Sequence, residues 1–99
     1  MRQYELTVIF PLEDDLHKAG REQLLADLKN QEAEILKTDE TGDRDLAYEI
    51  KKRRRGKYVL FTIKAEQSKI TAMDRVFKLN ANLLKYLFVR TEEEGQVNG

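Results

Sequence analysis

The order of its hydrophobic repeats constrains the fold of this chain more than any other feature. Apolar residues recur with a period of two over residues 4–10, with β-branched and aromatic side chains among them, and Pro11 ends the run. This pattern predicts a first strand. The acidic residues 13–15 then favour a helix start, because carboxylates accept hydrogen bonds from unpaired backbone N–H groups and oppose the positive end of the helix dipole. The helical period predicts that this helix extends to about Asn30.

The second and third strands are predicted to form a hairpin. An extended segment opens at Ile35, is interrupted at Gly42 and continues to Ile50. A long strand with a bulge or bend at Gly42 accounts for this pattern. Residues 57–64 predict the third strand, and Gly56 is predicted to be the turn residue of the basic loop that joins the two strands.

A second helix and a fourth strand complete the chain. Ser68 is the predicted N-cap of a helix that ends near Asn80, and residues 83–90 predict the last strand. The order is β-α-β-β-α-β, in which two right-handed crossovers joined by a hairpin give a four-stranded antiparallel sheet with two helices on one face. We therefore predict an α+β, ferredoxin-like fold, with a single domain over residues 1–91 and an acidic, disordered tail over residues 92–99.

This fold leaves one face of the sheet open, and such a face is either polar and solvated or used for binding. On the fourth strand the face that bears Lys85 also carries Leu87 and Val89, so part of the open face is predicted to be apolar. The third strand is apolar on both of its alternating faces. The outward residues are therefore either Tyr58 and Leu60 or Val59, Phe61 and Ile63.

A cluster of basic residues stands out against a formal net charge of +0. Its six cations are Lys51, Lys52, Arg53, Arg54, Arg55 and Lys57. The acidic residues gather elsewhere, at 13–15, 39–45 and 92–94, and no acidic residue interrupts the basic cluster. Because local charge matters more than the sum for an electrostatic footprint, the cluster predicts a phosphate-binding hairpin loop. A solvated charge run that contacts nothing is the alternative.

Composition argues against catalysis and against membrane insertion. The chain has no Cys and one His, His17, so it lacks a thiolate nucleophile, a disulfide framework and a Cys-based zinc site. A phosphatase of the acylphosphatase type would need a Gly-rich phosphate cradle after strand one, where this chain has FPLEDD. No apolar run is long enough to cross a bilayer. We expect no enzyme activity, cofactor, metal, small-molecule substrate or membrane partner, and a cytosolic location.

The third strand also resembles a signature of the RNA-recognition motif. Residues 55–61 provide a basic residue, a glycine and interleaved aromatic residues, which in that motif stack bases. The match requires a one-residue deletion, and strand one lacks the companion signature. Tyr58 and Phe61 are therefore either base-stacking residues or ordinary strand residues.

Four stretches are together similar to one known family. Residues 42–52 resemble its segment G-x-R-x-L-A-Y-x-I-x-K, the start M-R-x-Y-E resembles its N-terminus, and F-K-L-N at 77–80 and V-R at 89–90 resemble its later marks. The likeness extends over residues 1–91 in register, and the family is bacterial ribosomal small-subunit protein six. It implies a ferredoxin-like, non-enzymatic protein of the cytoplasmic ribosome. Such a protein binds the central domain of small-subunit ribosomal RNA together with ribosomal small-subunit protein eighteen, which docks on the open sheet side.

The resemblance also implies roles for individual residues. The RNA-facing candidates that it adds to the basic cluster, or shares with it, are Arg2, Arg44, Lys52, Lys78, Asn80, Lys85 and Arg90. Leu87 and Val89 are the candidates for the protein partner. Three positions depart from the family pattern: Asp43 replaces a frequent basic residue, Glu49 replaces a proline, and Glu32 lies where a glycine is usual. A different class of protein also fits the sequence: a ferredoxin-like protein–protein module whose basic hairpin loop binds an acidic partner.

Overall fold

The computed structural model of the chain describes residues 1–91. Its elements are β1 (Arg2–Phe10), α1 (Asp14–Asn30), β2 (Glu34–Ile50), β3 (Arg53–Ala65), α2 (Gln67–Phe77) and β4 (Lys85–Arg90). The predicted order β-α-β-β-α-β is therefore confirmed. The tail predicted over residues 92–99 lies outside the described residues. No helix within residues 1–91 is both long enough and apolar enough to cross a membrane.

The four strands form one antiparallel sheet in the order β2-β3-β1-β4. Both helices pack on the same face of this sheet, which confirms the ferredoxin-like fold. The core between the helices and the sheet contains fully buried aromatic residues from β1, β3 and α2: Phe10, Phe61 and Phe77. Strands β2 and β4 are the edges of the sheet, so residues of β4 border both the open face and solvent.

The structure decides which face of β3 points outward. Val59, Phe61 and Ile63 are buried in the core, whereas Tyr58 and Leu60 are only partly buried and lie on the open face. The register agrees, since Leu60 lies opposite Thr7 of β1, which also has its side chain on the open face. The sequence of β3 is apolar on both faces because the open face of the sheet, to which Tyr58 and Leu60 belong, is itself partly apolar.

The hairpin of β2 and β3 extends beyond the rest of the sheet. The last pair between β1 and β3 is Phe10–Lys57, but pairing of β2 with β3 continues to Ile50–Arg53. Residues 43–57, which we call the hairpin arm, therefore start level with the last residue of β1, and residues 44–56 project past it. The bulge predicted at Gly42 is confirmed at the base of this arm, where the register shifts and φ is 96°.

The turn of the arm differs from the prediction. Lys51 and Lys52 form it, with φ of 50° and 65°, as in the two-residue turns whose backbone twist matches that of paired strands. The basic residues from Arg53 onward are strand residues rather than loop residues. Gly56 is not a turn residue. It is buried within β3, where a Cβ would overlap Cγ2 of Ile9, so it is needed for close packing.

The starts of two further elements also differ from the predicted bounds. The N-cap of α2 is Glu66 rather than Ser68, and β4 begins at Lys85 because the preceding residues form a turn. After β4, Thr91 is buried and its backbone N–H donates to the Gln3 carbonyl at 3.0 Å. A truncation that spares the fold should therefore keep Thr91.

Candidate nucleic-acid interface

Two charge pairs cross the hairpin arm between opposite strand positions. Asp43 lies opposite Lys57 and Asp45 lies opposite Arg55, and their charged groups approach to 3.9 and 3.1 Å. Opposite charges at directly facing positions stabilise an antiparallel pair. The acidic residues of β2 and the cations of β3 therefore help to set the register of the two strands in the arm.

Other groups hold the remaining cations of the arm. Arg53 donates to Glu13 at the start of α1 at 3.0 Å, and this hydrogen bond lowers the pKa of the Glu13 carboxyl. Arg54 lies 4.0 Å from Glu49. No acidic residue interrupts the cluster in the sequence, but strand pairing and the start of α1 place carboxylates beside its cations.

The two lysines of the turn differ in their contacts. The Lys51 ammonium donates to the carbonyls of Ala81 and Leu83 at 3.3 and 3.1 Å, which ties the arm to the segment before β4. Lys52 is exposed, and among residues 1–91 it has no hydrogen-bond or ion-pair partner. Lys52 is thus the cation of the arm that is most available to an external phosphate.

Aromatic side chains accompany two cations, Arg44 on the arm and Lys85 beside it. The Arg44 guanidinium lies 5.7 Å from the Tyr58 ring centre. The Lys85 ammonium lies 5.3 Å from the Tyr48 ring centre and donates to the Tyr48 hydroxyl at 3.0 Å, which raises the pKa of Lys85. Sequence reasoning assigned no role to Tyr48. Its signal was a tyrosine that alternates with Leu46 and Ile50 in LAYEI, which is equally typical of a core position.

The open face carries exposed apolar side chains, as predicted. Leu87 and Val89 on β4 are 56% and 45% exposed. They lie opposite Thr7 and Glu5 of β1, so the exposed apolar area continues toward the centre of the sheet next to short or polar neighbours. This arrangement leaves a partly apolar surface that begins at Lys85, beside the arm.

The other predicted RNA-binding residues lie in different environments. Lys78 follows α2, is exposed and pairs with Asp74 at 3.0 Å. Asn80 is 8% exposed; its amide donates to the Gly20 carbonyl at 3.0 Å and accepts from the Asn82 backbone N–H at 3.0 Å. Both polar groups of Asn80 therefore have partners within the fold, where they hold the segment before β4 against α1.

The predicted cations lie at two ends of the sheet. Arg2 is the first residue of β1 and Arg90 is the last residue of β4. Arg90 lies opposite Tyr4 in the antiparallel pairing, so both arginines are at the same end of the sheet. Lys85 and the arm lie at the opposite end. Five strand steps separate Lys85 from Arg90, or about 17 Å at the usual rise per residue. One bound nucleic acid would have to span this distance to contact both groups.

The likeness to the RNA-recognition motif is not supported by the geometry of β3. Tyr58 faces outward, but Phe61 is buried under the helices at 1% exposure. The two aromatic residues therefore do not share a face on which bases could stack. Tyr58 is instead covered in part by Arg44.

The structure is thus a ferredoxin-like domain of the α+β class, with an exposed apolar sheet face and a charged hairpin arm at one end. Comparison with known proteins identifies its family. The family model for Ribosomal protein S6 matches residues 3–90, and the chain belongs to this family. This confirms the family inferred from the sequence, and the predicted cytoplasmic, ribosomal location agrees with it.

Relatives of similar length support the assignment. The chain is 48% identical over 93 residues to small ribosomal subunit protein bS6 of Treponema denticola, covering 94% of this chain and 100% of that protein. It is 42% identical over 95 residues to bS6 of Halalkalibacterium halodurans, again with 94% and 100% covered. The crystal structure of 30S ribosomal protein S6 from Thermotoga maritima superposes with a TM-score of 0.84 at 18% identity, over 98% of this chain and 94% of that one.

Proposed function

We propose that the chain is a structural, non-enzymatic protein of the small ribosomal subunit. It binds the central domain of small-subunit ribosomal RNA together with ribosomal small-subunit protein eighteen. The observation that carries this proposal is the position of the hairpin arm, which presents six cations at and beyond the end of β1, next to an exposed apolar face. The curated relatives, which match 94% of the chain, carry the name of a small-subunit ribosomal protein.

The RNA contact belongs to the arm in this proposal. Lys52 at the turn and Arg54, whose side chain is 89% exposed, meet phosphates first. The aromatic pairs with Arg44 and Lys85 at the base of the arm add a surface on which a nucleotide can stack while a phosphate meets the cation. Arg2 and Arg90, at the far end of the sheet, contact a separate part of the RNA, as does Lys78.

The protein contact belongs to the open face. Leu87 and Val89 are large apolar side chains that water covers in the isolated chain, and burying such area is favourable at about 25 cal/mol per Å². A partner protein that covers them also lies beside Lys85, so one assembly can contact the face and the arm together.

Replacement of Leu87 by Glu tests the protein contact. A buried, unpaired carboxylate in the interface should weaken binding of the partner protein at least tenfold while the fold is kept, because Leu87 is already exposed. Isothermal titration with purified protein eighteen measures the affinity, and circular dichroism checks the fold. Leu36→Glu is the matched control, since Leu36 is an exposed leucine of edge strand β2 at 43% exposure. Equal affinity of Leu87→Glu and wild type would contradict the docking face.

Cosedimentation with small ribosomal subunits that lack the protein tests the proposal as a whole. The wild-type chain should bind stoichiometrically, and naked central-domain RNA should bind it with an affinity that falls as salt rises. A chain that binds an acidic protein but neither the subunit nor the RNA would instead be the protein–protein module considered from the sequence.

A further inference from the structure

A groove runs between α1 and α2 on the helix side of the molecule, away from the open sheet face. Its cavity volume is about 490 Å³. Ala19, Gln23 and Asp27 line one wall, and their spacing of four residues places them on one stripe of α1. Val76 and Leu79 line the facing wall. Residues 80–82 also line the groove, and they include Asn80, whose polar groups already have partners within the fold. The proposed contacts with RNA and with the protein partner use none of the groove residues.

Asp27 is the unusual residue of this groove. It is 8% exposed, and its Oδ1 accepts from Nε2 of Gln23 at 3.0 Å. Its Oδ2 is buried and has no hydrogen-bond donor within residues 1–91. Nearly all buried polar groups have a partner, because an unpaired one has lost water without a replacement. The exposed Gln23 side chain can rotate aside, so a donor that enters the groove can reach the carboxylate.

Leu79 gives the groove an apolar rim. It lies just after α2 and is 81% exposed, the most exposed of the large hydrophobic side chains in the described part of the chain. Val76 continues this apolar wall toward the core. The residues that line the groove include Asp27 but no cation, so the groove carries a negative charge beside an aliphatic wall.

We propose that this groove binds a basic segment of a partner protein. One Lys or Arg head donates to Asp27, and aliphatic side chains of the same segment pack on Leu79 and Val76. The match is one of charge and shape, because Lys and Arg combine an aliphatic stem with a cationic head. The end of this chain does not supply the segment, since residues 92–99 contain three glutamates and no cation.

An NMR titration of the full chain tests this site. The probes are two blocked hexapeptides of alanine and leucine that differ at one inner position. This residue is lysine in the first peptide and norleucine in the second. Only the lysine peptide should shift the backbone amide signals of Gln23, Asp27 and Leu79. Asp27→Asn should weaken its binding about tenfold, because a charge-assisted hydrogen bond becomes a neutral one. Glu22→Gln, an exposed acidic residue on the same helix, is the control and should leave binding unchanged.

Leu79→Ala provides a second variant that does not depend on Asp27. Because Leu79 is exposed, this variant should keep the fold, and it should weaken the lysine peptide several-fold through lost apolar contact. The proposal is overturned if the lysine peptide shifts none of these signals, or if the norleucine peptide binds as well. It is also overturned if the same signals shift with protein concentration alone, since the occupant is then a second copy of this chain.

Discussion

The carboxylates of the hairpin arm should limit its affinity for RNA. Asp43, Asp45 and Glu49 lie 3.9, 3.1 and 4.0 Å from the cations that they face. A phosphate that approaches one of these cations must share it with a carboxylate and is repelled by the same carboxylate. The triple variant Asp43→Asn, Asp45→Asn, Glu49→Gln removes this competition and keeps the size of each side chain. We expect it to bind central-domain RNA more tightly than the wild type.

The magnitude follows from the exposure of these pairs. Exposed ion pairs contribute about 0.2–1 kcal/mol each, so the three pairs together contribute roughly 0.6–3 kcal/mol. RNA binding to the triple variant does not have to overcome this free energy. This corresponds to an increase in affinity of about 3- to 150-fold at low salt. The slope of log affinity against log salt should steepen by about one to two units, since each added phosphate contact contributes roughly 0.7–0.9 and not all three cations need reach a phosphate.

Fluorescence anisotropy with a labelled fragment of central-domain RNA, repeated over a series of KCl concentrations, measures both quantities. The matched control is Asp15→Asn, Glu22→Gln, Glu34→Gln, which removes the same number of negative charges from exposed positions outside the arm. Replacing residues 53–55 together by Ala should act in the opposite direction and make the slope shallower by about one to two units. Its stability should change little beyond the loss of exposed ion pairs.

Three results would refute the reasoning. Equal tightening by the arm variant and by its control would mean that net charge alone sets the affinity. A wild-type affinity and salt slope in both the acidic and the arginine triple variants would mean that the arm does not contact phosphate. A loss of RNA binding in the acidic variant would mean that the carboxylates hold the arm in its binding conformation.

Three further predictions concern stability, measured by urea unfolding. Burial, and then Lys57, lower the pKa of His17 below its ordinary value of 6.5, so the unfolded chain binds a proton at a higher pH than the folded chain does. The free energy of unfolding should therefore fall as the pH drops through 6.5. His17→Gln should remove this dependence. Gly56→Ala should cost about 1–3 kcal/mol through overlap with Ile9, and less in an Ile9→Ala background; equal costs in both would contradict the clash. In a Lys69→Met background, which lacks the exposed ion pair of Lys69 with Glu32, Glu32→Gly should stabilise by about 0.5–1 kcal/mol because φ is 61° there, and a lower midpoint would contradict this.

The fold could be predicted because each element has its own period and the elements alternate in an order with few solutions. The buried face of β1, the bulge at Gly42 and the outward position of Leu87 all follow from alternation with a period of two. The face of β3 could not be predicted in this way. Tyr58 and Leu60 look like core residues, and only pairing with β1 shows that they face the open side.

The turn of the arm could not be predicted for a related reason. Glycine and asparagine are the usual residues in a two-residue hairpin turn, so Gly56 was the natural choice near the basic cluster. The turn instead places Lys51 and Lys52 in the left-handed region, which costs free energy at each residue. The hydrogen bonds from Lys51 to the segment before β4 offset part of this cost, and these long-range contacts have no local sequence signal.

The basic run of the candidate site is visible in the sequence, but its balance of charge is not. A basic run in a chain with no net charge suggested an unopposed positive field. Pairing of β2 with β3 shows why the acidic residues are placed ten or more residues earlier: Asp43 and Asp45 are separated by one residue, as are Arg55 and Lys57, so both pairs face each other across the strands. In the proposed function, a phosphate that contacts Arg55 or Lys57 must therefore compete with the carboxylate that holds that cation in register. A closely fitting phosphate backbone can compete with these carboxylates, whereas a loosely bound polyanion cannot. The paired arm should therefore discriminate against loosely bound polyanions more strongly than six unpaired cations would.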